Sequence, residues 1–105
     1  MAVPAAVMQR LEQRAGEAAQ LMKLLANETR LLILCRLVTA REMSAGAIVA
    51  AVGVGQSAVS QHLAKLRDDN LVATRRDGQT TYYRIADENV ARIISVLKDI
   101  YCRDE

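Results

Sequence analysis

Several features typical of membrane proteins and of multidomain proteins are absent from this sequence. Its 105 residues include no tryptophan, no phenylalanine and a single proline, and no segment has low complexity. The sequence has no continuous apolar run of membrane length, and we expect no signal peptide at its N-terminus. With 51% hydrophobic residues, the chain is predicted to fold as one compact domain over residues 1–105, located in the cytoplasm.

A strong charge of one sign is also missing. The formal net charge is +2 and the isoelectric point is about 8.7, so the chain is only mildly basic. One histidine, His62, and two cysteines, Cys35 and Cys102, supply all the imidazole and thiol groups. Any affinity for nucleic acid must therefore depend on where the cations lie, and thiol catalysis would have only one histidine to act as its base.

Residues 56–67 predict a helix with two distinct faces. At about 100° per residue, Val59, Leu63 and Leu66 share an apolar face, while short hydroxyl, amide and methyl groups that can approach base edges share another. No acidic residue lies in this segment. We predict that it reads DNA through Gln56, Ser57, Ser60, Gln61, His62 and Lys65.

A short helix over residues 44–51 precedes this segment. Ser44 can cap its N-terminus, and residues 52–54 supply the tight turn that joins two helices. The pair predicts a helix-turn-helix. A generic helical hairpin is the alternative.

A basic hairpin follows the predicted DNA-reading helix. Asp77-Gly78 lies between two β-rich runs, and glycine supplies the positive φ that a two-residue turn needs. With Arg84 nearby, the cations of this ribbon could lie against the phosphate backbone or the minor groove. The residues predicted to contact DNA here are Arg75, Arg76, Gln79 and Thr80. The alternative is a solvated hairpin with no partner.

Three further helices complete the predicted fold. Residues 28–39 are apolar almost all round, as a central core helix should be. The helices near the two termini carry apolar stripes that exceed what a small core can cover, which predicts a homodimer with two reading helices about one DNA turn apart on a palindromic site. The stripes comprise Val7, Leu11, Ala15, Ala18, Met22 and Leu25, and Val90, Ile93, Ile94, Leu97 and Tyr101. The predicted fold class is mainly α with a small β-hairpin wing, a winged helix-turn-helix in the order four helices, two strands and a last helix.

Four segments in this order resemble the ArsR/SmtB family of winged-helix repressors. They read LLANETRLLI at 24–33, QSAVSQHL at 56–63, RDGQT at 76–80 and YYRI at 82–85. The resemblance covers nearly the whole chain, except that Gly55 stands where many relatives have a side-chain cap. It implies a homodimer that is not an enzyme, needs no cofactor, represses transcription from double-stranded DNA and leaves its operator when an inducer binds.

The residues that bind metal in the family's metal sensors are missing here, so a metal ion is not the expected inducer. Those sensors carry a Cys-x-Cys pair on the first helix of the helix-turn-helix, or Asp and His ligands on the last helix. Here residues 43–48 contain no cysteine, and the last helix offers Asp87, Glu88 and Asp99 but no histidine. No metal site is therefore predicted, and His62 is interpreted as a packing or phosphate-contacting residue.

The two cysteines resemble those of the family's persulfide-sensing branch (SqrR/BigR type). That branch has one cysteine on the second helix and one near the end of the last helix, and here Cys35 and Cys102 stand 67 residues apart. The resemblance implies that the thiols are neighbours, that persulfide or polysulfide bridges them, and that the bridge releases DNA. Cys102 is expected to be the accessible, attacking thiol, and Cys35 the buried, resolving one.

Other interpretations stay open at this stage. From the residues alone, both thiols could be ordinary buried cysteines. The alternative inducer is peroxide or another oxidant acting through sulfenic acid on the same thiols, and a metal ion comes after it. A thiol enzyme is disfavoured because the one histidine lies on the predicted DNA-reading helix, and a winged protein-interaction module because the wing is rich in arginine.

Overall fold

A computed structural model describes residues 2–102 of the chain as six helices and three short strands. The helices are α1 (Ala5–Gln13), α2 (Ala15–Leu25), α3 (Glu28–Ala40), α4 (Ala45–Val52), α5 (Gln56–Asp68) and α6 (Glu88–Tyr101), and the strands are β1 (Met43–Ser44), β2 (Val72–Asp77) and β3 (Thr80–Ile85). The strands form one antiparallel sheet in the order β1-β3-β2. The prediction of a mainly α, winged helix-turn-helix fold is confirmed.

A helix break and an additional strand differ from the sequence prediction. The N-terminal helix is divided at Arg14, whose backbone (φ −111°, ψ 18°) leaves the helical region, and its side chain pairs with Glu17 at 2.8 Å. Gly16 follows within the first turn of α2, where its low helix propensity weakens continuity. A third strand, β1, was not predicted, because two residues are too short to show a period; it pairs Met43 with Tyr83 and Ser44 with Tyr82.

The core lies between α3, α5, α6 and the base of the hairpin. Its buried side chains are Leu25, Ile33, Leu34, Leu37, Ile48, Val59, Leu63, Leu66, Leu71, Val72, Val90 and Ile94. The predicted apolar face of α5 is therefore confirmed. The prediction for α3 is wrong: only one side of this helix is buried, and Leu32 is 44% exposed on another.

Side-chain caps begin α3, α4 and α6, and a left-handed residue follows α5. Asn27, Ser44 and Asp87 accept backbone N–H bonds at the starts of α3, α4 and α6, as expected for Ser44 and Asp87. Asn70 adopts a φ of 62°, and the next residue donates its N–H to Leu66 O at 2.9 Å, which ends α5 and turns the chain into β2. The C-terminal end of α5 is thus defined by Asn70, whereas Gly55 at its N-terminus supplies no side-chain cap.

The hairpin turn lies one residue further along than predicted. Asp77 still pairs with Thr80, so the two loop residues are Gly78 and Gln79 rather than Asp77 and Gly78. Gly78 has a φ of 62° at the first loop position, where a type II′ turn places glycine. The Asp-Gly signal locates the turn, but the strand register decides which residues form the loop.

Candidate DNA interface and thiol pair

The polar face of α5 is free in the single chain. Because Val59, Leu63 and Leu66 fix the opposite face in the core, the predicted base-reading residues point outward. Gln56, Ser57, Ser60 and Gln61 are all exposed. This face has the short polar groups needed to contact base edges in a major groove.

Lys65 is also exposed on α5, and its ammonium lies 3.1 Å from the carboxylate of Asp69. The Lys65 side chain is 51% exposed and the Asp69 side chain 28%, so the ammonium can still reach a phosphate on its solvent side. The predicted phosphate contact of Lys65 is compatible with this geometry and stays a prediction.

His62 is half-buried at the edge of α5, and its predicted contact with DNA stays a prediction. Its Nδ1 accepts a hydrogen bond from Arg30 Nε at 3.2 Å, and Arg30 also donates from a terminal guanidinium nitrogen to Leu24 O at 3.1 Å. The packing role expected for His62 therefore has a specific partner. Sequence reasoning missed Arg30, because no periodicity links residues that are 32 positions apart.

The arginines predicted to contact DNA from the wing lie in two places, one near the base of the hairpin and one at its tip. Arg75, near the base, donates to both carboxylate oxygens of Glu42 at 2.9 and 2.7 Å, and its guanidinium lies 4.4 Å from the centre of the Tyr82 ring. This hydrogen-bonded pair lowers the pKa of Glu42 and raises that of Arg75. Arg75 thus links the wing to the short segment between α3 and β1, and its predicted contact with DNA stays a prediction.

The other predicted wing contacts lie at the tip. Arg76, Gln79 and Thr80 are exposed, and Arg76 Nε donates to Gly78 O across the turn at 3.2 Å. Arg84, on the neighbouring strand, is exposed as well. The tip therefore presents cations and short polar groups away from the core, as a contact with the DNA backbone requires.

The two thiols lie on helices that pack against each other, α3 and α6. Both are free and exposed in the single chain, so the expected burial of Cys35 is wrong. The reason is helical geometry: Cys35 lies about 150° from the centre of the buried stripe formed by Ile33, Leu34 and Leu37. Cys102 caps the C-terminal end of α6 and is exposed, as expected.

Electrostatics link the two cysteines. Partial burial of the thiol raises the pKa of Cys35, and the nearby Cys102 raises it further. A raised pKa keeps the Cys35 thiol protonated at neutral pH, which lowers its nucleophilicity. Thr39 Oγ1 donates to the Cys35 carbonyl at 3.0 Å and so steadies this turn of α3.

Metal-binding clusters and membrane-spanning helices are both absent from residues 2–102. Within that range, no group of three or more His, Cys, Asp or Glu side chains is arranged to hold a metal ion. None of the helices in the same range is both long and apolar enough to cross a membrane.

The sequence of this chain is similar to those of known bacterial regulatory proteins. Residues 27–74 match the model of the family described as bacterial regulatory protein, arsR family. The matched segment includes Cys35, α4 and α5. Nodulation protein NolR of Rhizobium meliloti is 52% identical over 87 residues, which cover 83% of this chain and 70% of NolR.

Two solved structures are similar over most of their length. Reduced HlyU from Vibrio cholerae N16961, a transcriptional activator by name, has a TM-score of 0.82 and 42% identity, covering 90% of this chain and 99% of that one. The transcriptional repressor BigR from Xylella fastidiosa has a TM-score of 0.86 and 35% identity, covering 92% and 98%.

Proposed function

The chain belongs to the arsR family of bacterial regulatory proteins, and from this premise we propose that it is a homodimeric repressor controlled by the thiols of Cys35 and Cys102. Its relatives are regulators of transcription, so it is a transcriptional regulator and not an enzyme. The proposed inducer is a reactive sulfur species, a persulfide or polysulfide. The observation that carries the proposal is the pair of exposed thiols on two helices that pack against each other.

The DNA-binding part rests on the outward polar face of α5 and on the basic tip of the wing. Gln61 is exposed on α5, and an amide can form two hydrogen bonds with an adenine edge. Arg76 is exposed at the tip, where a guanidinium can contact phosphate or the minor groove. Side chains on the helix would therefore select sequence, and side chains on the wing would supply affinity.

Substitution of these two residues should separate selectivity from affinity. Gln61→Ala should lose discrimination between the operator and random DNA by about 1 to 3 kcal/mol, because an amide that reads a base edge is removed. Arg76→Ala should weaken binding to both duplexes and reduce the slope of log affinity against log salt by about 1, because one phosphate contact is lost. Fluorescence anisotropy titrations over a salt series would measure both, on a palindrome selected by the protein from a random duplex pool.

Arg92→Ala is the matched control, since Arg92 is exposed on α6 and its guanidinium donates to Asn89 Oδ1 on the same helix. It should leave both quantities near their wild-type values. Equal losses on operator and random DNA for Gln61→Ala would contradict its role in base reading.

We propose that the exposed apolar residues of the terminal helices pack against a second copy of the chain. No residue of α1 is buried in the single chain, and Val7 and Leu11 on this helix are 44% and 53% exposed. A nine-residue helix that buries nothing is not stable in water by itself, so α1 needs a partner surface. On α6, Val96 and Ile100 form a further exposed apolar flank, 56% and 55% exposed.

In the proposed reaction with a persulfide, Cys102 reacts first and Cys35 second. The Cys102 thiolate attacks the terminal sulfur of a persulfide RSSH, forms Cys102–SSH and releases RS⁻. The Cys35 thiolate then attacks the inner sulfur of that group, forms a disulfide and releases HS⁻. If a second persulfide has first converted Cys35 to Cys35–SSH, the Cys102–SS⁻ anion attacks its inner sulfur, and a trisulfide forms with loss of HS⁻. The raised pKa of Cys35 favours Cys102 as the first nucleophile.

Mass spectrometry of the intact protein tests the nature of the inducer. Reduced protein should bind the selected palindrome, and glutathione persulfide should release it with the mass of a Cys35–Cys102 bridge, either the disulfide or the trisulfide with one added sulfur; the trisulfide is the product that identifies a sulfur donor. Peroxide can give only a disulfide by way of sulfenic acid, with no added sulfur. Release by peroxide at a lower dose than by persulfide would favour the oxidant alternative, and release by Zn²⁺ would favour a metal sensor.

In vitro transcription would test the direction of control. HlyU is named an activator and BigR a repressor, and the repressor assignment expects reduced protein to lower transcription from a promoter that contains the palindrome.

A further inference from the structure

Arg30 connects three elements around the reading helix. Its backbone N–H donates to Asn27 Oδ1 at 3.1 Å, which fixes the residue in the first turn of α3. Its guanidinium reaches Leu24 O near the end of α2 at 3.1 Å and His62 Nδ1 on α5 at 3.2 Å. Both guanidinium bonds are partly buried. None of these contacts involves the polar face of α5 or the thiols.

The hydrogen bond to Leu24 O restricts the position of the Arg30 guanidinium. Leu24 O belongs to the last turn of α2, where carbonyl groups lack helical partners and the helix dipole favours a cation. With its backbone held by the Asn27 cap and one terminal nitrogen held by Leu24 O, the arginine can present Nε in only a narrow range of directions. Its planar, forked donor geometry restricts it further.

The contact with His62 defines the state of the imidazole. Nδ1 can accept from Arg30 only when it carries no proton, so the neutral ring must hold its hydrogen on Nε2. A hydrogen bond is directional, whereas the apolar contacts of Val59, Leu63 and Leu66 on the same helix are not. The Arg30–His62 bond therefore supplies a directional restraint on the rotation of α5 about its axis.

We propose that Arg30 is a positioning residue that sets the orientation of α5 in the DNA groove by holding His62. The inference rests on the proposed role of α5 as the DNA-reading helix. His62 directly follows Gln61 in the chain, so a rotation of α5 at His62 moves the Gln61 amide relative to the base edges. Base-specific hydrogen bonds need alignment, and contacts with phosphates tolerate more movement. Loss of the Arg30–His62 bond should therefore reduce discrimination between sequences more than it reduces affinity for random DNA.

The first arm of the test needs no DNA. His62 is the only histidine in the chain, so its ¹⁵N imidazole resonances are unambiguous. In the full-length reduced protein at pH 8, the wild type should show a neutral ring with the proton on Nε2. In Arg30→Met the ring should change its tautomer ratio, and in Arg36→Met, a control on the same helix, it should not. A wild-type ring with its proton on Nδ1 would overturn the proposal.

The second arm is a double-mutant cycle on the ratio of operator affinity to random-DNA affinity. Arg30→Met and His62→Leu should each lower this ratio by about 10-fold, the size expected for one hydrogen bond to a charged group. The double variant should fall no more than about 2-fold below either single variant, because both remove the same bond. His62→Asn should recover most of the ratio, since its Oδ1 replaces the Nδ1 acceptor.

Urea unfolding of each variant shows whether it is folded under the binding conditions. Additive losses in the double variant, or no recovery in a folded His62→Asn protein, would overturn the positioning role. Failure of the wild type to discriminate between DNA sequences would refute the proposed function instead, and the NMR arm would still decide whether the contact holds the imidazole.

Discussion

Serine at either Cys35 or Cys102 is expected to abolish the release of DNA by persulfide and to leave operator binding by the reduced protein within about 2-fold of wild type. The two substitutions replace sulfur with oxygen at exposed positions, so the fold should tolerate them. Neither thiol lies on α5 or on the wing, so the DNA contacts should be preserved. Without a second thiol, the persulfide formed on the first has no partner with which to bridge the helices.

The size of the effect follows from the coupling that a bridge can supply. A bond between α3 and α6 would restrain two packed helices, and α6 also carries the exposed apolar flank proposed for the dimer interface. A coupling free energy of about 1 to 3 kcal/mol corresponds to a 5- to 150-fold loss of operator affinity on bridging. In both serine variants the ratio of operator affinity before and after persulfide treatment should fall to about 1. Anisotropy titrations before and after treatment with glutathione persulfide would measure it.

Mass spectrometry and a matched control complete this test. Cys35→Ser should retain a persulfide on Cys102, whereas Cys102→Ser should react more slowly, because the raised pKa of Cys35 leaves less thiolate at neutral pH. The difference should narrow as the pH rises toward the pKa of Cys35. Thr39→Ser, next to Cys35 on α3, should behave as wild type. A single-serine variant that persulfide releases as readily as wild type would disprove the paired-thiol switch.

Aspartate at Ile100 is expected to convert the dimer into a monomer and to reduce operator affinity by at least 100-fold. A carboxylate at the centre of an apolar interface would be desolvated without a partner, which costs several kcal/mol. A monomer would also contact only one half of a palindrome. Ile100 is 55% exposed in the single chain, so its replacement should not disturb the monomer's own core. Leu97, a residue of the predicted stripe, packs against that core and would confuse the two effects.

Sedimentation equilibrium at micromolar concentration would measure the association. Ser95→Asp is the control, because Ser95 is exposed on α6 about 140° around the helix from Ile100. It should remain dimeric and bind the palindrome normally. A wild-type protein that sediments as a monomer, or an Ile100→Asp protein that remains a dimer, would contradict an interface built on this flank.

The sequence alone determined the elements that depend on local signals. The period of apolar residues in α5, the Ser44 and Asp87 caps and the glycine of the hairpin each act over a few residues, so they can be recognised without tertiary structure. The resemblance of four segments to one family added the winged-helix order, and the family match confirms that family.

Tertiary structure decided the orientation of helices and the contacts between distant residues. The apolar residues of α3 leave its buried side undefined in the sequence, and packing turned Leu34 inward and Cys35 outward. The hydrogen bond of Arg30 to His62 joins residues 32 positions apart, and that of Arg75 to Glu42 joins residues 33 apart. Such contacts have no periodic or local signature, because they exist only after the hydrophobic core has brought the helices and the wing together.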